Sequence, residues 1–172
     1  MSGYITDWLK VRRGWRVFAL REEGTQLIEF AIALPFLIVM FAGAVELGRL
    51  FYTYTTLTKA TVVGARYLSS PANAVGVSGY AGSDITAAQN LMICGVAASC
   101  SGLTPIVTGF DISNITITPP PATGGVRYVT VSISYAYAPK VFNLGNMTGN
   151  SSLSLNYTLT PKTTMRYLLD SE

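Results

Sequence analysis

The sequence predicts an α+β protein: a long N-terminal helix, its first half apolar enough to span a membrane, packed on a small antiparallel sheet of three to four strands. Three observations carry this expectation. From Leu27 to Val45 almost every residue is apolar, and about 20 such residues let a helix cross a hydrocarbon core of about 30 Å. Beyond Val45, residues Leu47, Leu50, Tyr54, Leu57, Thr61, Ala65 and Leu68 recur at steps of three and four, the spacing of one helix face. From about Asp111 the period falls to two, which marks half-buried strands.

The 172 residues fit one modest domain plus a membrane helix. With 49% hydrophobic and 12% charged residues, and a mean hydropathy of +0.38, the composition excludes a disordered chain. Five bases (Lys10, Arg12, Arg13, Arg16, Arg21) precede Gly24, against Asp7, Glu22 and Glu23, and the remainder is nearly balanced. That distribution argues against nucleic acid as a partner, which needs bases clustered on a folded face. It favours an N-terminus in the cytoplasm and a C-terminal bulk across the membrane. Residues 1–24 therefore read as a basic cytoplasmic leader. Its Trp8, Trp15 and Phe18 also suit a short amphipathic helix lying on the inner leaflet.

Glu29 is the one charge between Gly24 and Val45, and a carboxylate at mid-membrane depth costs about 2.5–3.5 kcal/mol unless partnered. A cut between Gly24 and Thr25 would make Glu29 the fifth residue of the new chain. The new α-amino group, with a pKa of about 7.7–8.0, would be largely cationic, and the amine of one subunit could meet the carboxylate of the next. Gly24 followed five residues later by Glu29, ahead of an apolar helix, resembles the processing site of type IV prepilins. Two other readings of this stretch are open. Ala42-Gly43-Ala44 is a small-x-small site that signal peptidase could cut, and the helix could be a plain anchor.

Pro35 is accommodated in a membrane helix by a kink, and the helix continues to about Leu68. Its length, about 65 Å at 1.5 Å per residue, exceeds what a membrane needs, so its second half must pack on the C-terminal domain or on neighbouring helices. Ala44 with Gly48, and Ala60 with Gly64, are small-x-x-x-small pairs that permit close backbone approach. Arg49, Thr53, Lys59 and Arg66 fall largely off the apolar stripe. Glu46 and Arg49 stand where the helix leaves the lipid, spaced to pair on its surface for about 0.2–0.5 kcal/mol. Glu29-Phe30-Ala31, Pro35, Glu46-Leu47-Gly48-Arg49 and Gly64-Ala65-Arg66-Tyr67 together resemble the TadE/TadG-like family of the Tad (tight adherence, Flp-type) pilus system. Phe30 departs from the tyrosine that many short Flp-type pilins carry after the glutamate.

Ser69-Ser70-Pro71 ends the helix, and a loop through Gly76, Gly79 and Gly82 follows. Ser83 or Asp84 could cap a short helix from Ile85 to about Met92. Cys94 and Cys100 could close a small disulfide loop in an oxidising compartment, or remain a pair of buried thiols. Asp111 to Thr118 reads as a first strand. Val129, Val131, Ile133, Tyr135 and Tyr137 share one face of a long second strand ended by Pro139. Leu153, Leu155, Tyr157 and Leu159 make a third, and Thr164 to Tyr167 is a possible edge. Tyr135, Tyr137 and Tyr157 are expected in the core, and Tyr128 at the surface. The amphipathic half of the helix would cover the sheet's greasy face.

No catalytic chemistry is visible. The chain has no histidine, its carboxylates beyond the helix are scattered, and it has no phosphate-binding Gly-rich loop. The cysteine spacing does not suit a metal, and no cofactor is expected. Four Asn-x-Ser/Thr sites, at Asn114, Asn146, Asn150 and Asn156, read as ordinary polar strand and loop positions.

The resemblance implies a minor pilin or pseudopilin that takes part in assembling a Tad-type pilus used in secretion and surface adherence, and not an enzyme. Its implied domains are residues 1–24, cleaved; 25–70, the helix, with a transmembrane segment about 27–45; and 71–172, a pilin-like periplasmic or extracellular domain. Its implied partners are a prepilin peptidase acting at Gly24, Thr25 and Glu29, other pilins and pseudopilins meeting Glu29, Phe30 and Pro35, the Tad inner-membrane assembly platform and the lipid bilayer. Its implied location is the bacterial inner membrane, single-pass, and the cell exterior once in a pilus. The alternative is a permanently anchored periplasmic binding module that never enters a filament.

Overall fold

The computed structural model describes residues 23–70, 80, 82–120, 127–141, 143, 145, 149, 150, 154 and 156–166. The expectations for the leader, for Leu153 and Leu155, and for Tyr167 lie outside them. Helix α1 spans Glu23–Ser69 and α2 spans Gly82–Cys94. Five strands follow: β1 Ile115–Thr118, β2 Tyr128–Ile133, β3 Tyr135–Tyr137, β4 Tyr157–Leu159 and β5 Lys162–Arg166. The chain divides into two units, residues 1–44 and 45–172, and the boundary falls inside α1. The second unit thus holds the C-terminal half of that helix as well as α2 and all five strands.

The α+β expectation holds, with five short strands in two sheets where three to four in one were expected. The first sheet has the order β1-β2-β5 and the second pairs β3 with β4, all antiparallel. The expected long second strand is divided at Ser134. Its amide donates to the Asn114 carbonyl at 2.8 Å, and the Asn114 side-chain amide donates to the Ser134 carbonyl at 2.9 Å. With its backbone groups claimed there, the strand leaves β1 and takes β4 as its next neighbour. The alternation survives the break, since Val129, Val131, Ile133 and Tyr137 are all buried. Strand β1 is also shorter than expected. Residues 112–114 form a 3-10 turn in which the Asp111 carboxylate accepts from the Ser113 amide at 2.8 Å and the Asp111 amide donates to Asn114 Oδ1 at 3.0 Å.

Register places Ile115 opposite Ile133, Ile117 opposite Val131, and Val129 opposite Met165, so the apolar side chains of three strands share one face. Leu57, Ala60, Ala65 and Leu68 of α1 and Ala88, Met92 and Ile93 of α2 join them in one core with Phe110 and Leu159. A polar pair lies at the helix-sheet contact: Thr61 and Thr163 hydroxyls are 2.7 Å apart. Thr61 gives its proton to the Thr58 carbonyl at 2.8 Å, which leaves Thr163 as the donor between them. The outer face carries Thr116, Thr118, Thr130, Thr164 and Arg166, and Tyr128 is exposed there as expected. Tyr157 is a correction: parity puts it on the same face as the buried Leu159, but it is the first residue of β4, opposite the last residue of β3, and at that end of the two-stranded sheet it is 58% exposed.

The second helix begins three residues before Ile85 and ends two residues after Met92. It stops at Gly95, whose φ of +76° is open to glycine, and whose amide donates to the Leu91 carbonyl at 3.0 Å. The Cys94–Cys100 disulfide follows directly, with Cα atoms 5.8 Å apart. From α2, the Asn90 side-chain amide donates into the loop that the disulfide closes, to the Ala98 carbonyl.

Candidate functional site

Helix α1 presents two different surfaces along its length. From Gly24 to Val45 its side chains are exposed or nearly so on every side: Leu27, Phe30, Phe36, Met40 and Phe41 all stand out. The helix is long and apolar enough to cross a membrane. Among soluble folds so much apolar surface is a liability unless lipid or protein covers it. Gly24, Thr25, Glu29, Phe30 and Pro35 all lie on this stretch, exposed and in helical conformation. A methyl group added at Gly24 would meet nothing within 4 Å, so its glycine is not dictated by packing.

From Glu46 onward one face is buried. The stripe expected from Leu47 and Tyr54 is out of phase by one residue at its start, since both are exposed. The buried line instead runs Glu46, Leu50, Thr53, Leu57, Ala60 with Thr61, Gly64 and Leu68, buried or half-buried throughout. It begins with an acid and includes Thr53, whose polarity had set it off the stripe. Gly64 has a specific role. A methyl group built on it would overlap the Met92 sulfur and lie 2.8 Å from Met92 Cγ, so the bare backbone is the seat of the Met92 side chain.

Glu46 is the main correction to the sequence reading. The expected pairing with Arg49 is present, but Glu46 does not stand on the surface: it is fully buried, 0% exposed. Its Oε1 accepts from the Tyr137 hydroxyl at 2.5 Å and from the Lys140 amide at 3.2 Å, and its Oε2 accepts from the Val141 amide at 2.9 Å. Arg49 Nη1 stands 3.9 Å away with its side chain 42% exposed, a minor contribution. The donors are available because Pro139 terminates β3, leaving the next two amides without ladder partners. Burial alone would raise the Glu46 carboxyl. The Tyr137, Val141 and Lys140 hydrogen bonds and the Arg49 charge outweigh it and hold the group below its ordinary 4.5. The same burial, with the bond to Glu46, pushes the Tyr137 phenol up to about 12.

The three donors were missed from sequence because they lie more than 90 residues from Glu46. The available signal was its phase, an acid four residues before Leu50 on the line that leads to Leu57. Among the described residues no group of His, Cys, Asp and Glu is placed to hold a metal ion.

Comparison with known proteins places this helix. A family model described as TadE-like protein matches residues 24–66, which covers the exposed apolar stretch and most of the buried line of α1. No curated protein and no solved structure gives a significant match to the chain.

Proposed function

From this TadE-like segment at the head of the chain, we propose that the protein is a minor pilin or pseudopilin that takes part in assembling a Tad-type pilus. The observation that carries the reading is the stretch from Gly24 to Val45, apolar and exposed all round with Glu29 as its single charge. Such a surface suits lipid first and the packed helices of a fibre afterwards. A prepilin peptidase would cut between Gly24 and Thr25. Glu29 would then meet the cationic amine of a neighbouring subunit, a pairing favoured where the local dielectric is low. Phe30 and Pro35 would contribute to the same subunit contact. Before extraction the chain would sit in the bacterial inner membrane with its N-terminus in the cytoplasm and the unit from Val45 onward in the periplasm. The role is structural and not enzymatic, and its partners are the peptidase, other pilins or pseudopilins, and the Tad assembly platform.

The test is the N-terminal residue of the native protein extracted from membranes, read by mass spectrometry. A start at Thr25 supports the proposal. An intact Met1 would replace it with a permanently anchored binding module, and a start at Val45 with a secreted domain.

A further inference from the structure

At the head of the compact unit lies an open groove of about 240 Å³ whose lining includes Arg49, Tyr52, Thr108 and Lys140. We propose that this groove holds the phosphate of an anionic phospholipid headgroup and so seats the unit on the bilayer surface. The inference rests on the reading of residues 27–45 as membrane-spanning.

Charge and depth both point to that occupant. Arg49 and Lys140 bring two cations to the groove. Among the described residues the only acid paired with either of them is Glu46, at 3.9 Å from Arg49. Glu46 is already committed to Tyr137 and to the amides of Lys140 and Val141. The guanidinium therefore keeps donors free for an anion, in the fork geometry that suits phosphate. For depth, Val45 is both the last residue of the apolar stretch and the first of the compact unit. Arg49 follows it by four residues, about 6 Å along the helix, and the headgroup layer is about 5–7 Å thick on each side. Lys140 is held at the same level, because its amide is bonded to Glu46.

The test uses the full chain in nanodiscs of phosphatidylcholine doped with phosphatidylglycerol. After release into detergent, retained lipids are counted by native mass spectrometry. The wild type is expected to retain phosphatidylglycerol in preference to phosphatidylcholine, and Arg49→Gln and Lys140→Gln each to lower that ratio by about fivefold. Arg49→Lys, which keeps the charge but loses the fork, should give a ratio between those of the wild type and Arg49→Gln. Lys59→Gln, which removes an exposed cation about 21 Å beyond Val45, should leave it unchanged. Equal retention of the two lipids, a ratio indifferent to the Arg49→Gln and Lys140→Gln pair, or release of the lipid by equimolar inorganic phosphate would overturn the proposal. A chain that does not insert into the discs at all would overturn the membrane reading along with it. Insertion without lipid preference would overturn this inference alone.

Discussion

A carboxylate as deeply buried as Glu46 is tolerated only where donors replace its lost hydration. Tyr137, Lys140 and Val141 supply three. Glu46→Ala would leave a phenol and two amides without a partner and is expected to destabilise the compact unit by about 2–4 kcal/mol. Tyr137→Phe removes one donor and should cost about 1–2 kcal/mol. Both are measured by denaturant unfolding in detergent, followed by the tyrosine near-ultraviolet signal. The pH dependence has a definite sign. Because the folded state holds Glu46 below its ordinary 4.5, its contribution is fully present above that value and is lost as pH falls through the lower folded one. Tyr137 works at the other end: its phenol is raised from 10.0 to about 12, so its contribution is full below 10 and fades as pH climbs toward 12. Unfolding free energies measured across both limbs should show each effect in the wild type. The acid limb should weaken in Glu46→Ala and the alkaline limb in Tyr137→Phe.

Helix α1 meets α2 where Gly64 seats Met92. In an open helix, Gly→Ala gains about 1 kcal/mol from propensity. Here the added methyl group collides with a fully buried side chain, and Gly64→Ala is expected to destabilise by about 1–3 kcal/mol. In a Met92→Ala background the collision is absent and the same substitution should be neutral or stabilising. A double-mutant cycle from thermal unfolding measures the difference, and simple additivity of the two changes would exclude the packing account. The divided strand follows a similar logic: alternation from Val129 to Tyr137 told which side chains face inward, but the switch at Ser134 depends on Asn114, 20 residues earlier.

For the molecule as a whole, the proposed assembly role centres on Glu29, the lone charge on the exposed apolar stretch. Glu29→Ala should leave processing at Gly24 possible, leave the stability of the unit from Val45 onward unchanged, and sharply reduce the number of pili. Cleavage is checked by mass spectrometry and pili are counted by electron microscopy of a strain carrying the variant. Normal pilus number would remove Glu29 from assembly. A matched Glu46→Ala strain separates the two acids, since its defect should begin with the folding of the compact unit.

Much of this protein was legible without coordinates. The apolar run to Val45, the helix end at Ser69-Ser70-Pro71, the α+β class and the inward parity of Val129, Val131 and Ile133 all follow from local composition and period, because each is set by neighbours within a few residues. Gly24 and Glu29 were likewise visible as a spacing. What the sequence could not decide depends on contacts across the chain. Leu47 and Tyr54 looked like core because hydrophobicity alone marks a stripe, whereas the buried phase begins at Glu46, where Tyr137 and two amides freed by Pro139 make burial of a charge possible. The division of one long strand into β2 and β3 has the same origin, as does the seat for Met92 at Gly64. In each case the deciding atom comes from a distant segment, and only the tertiary fold brings it within bonding or packing distance.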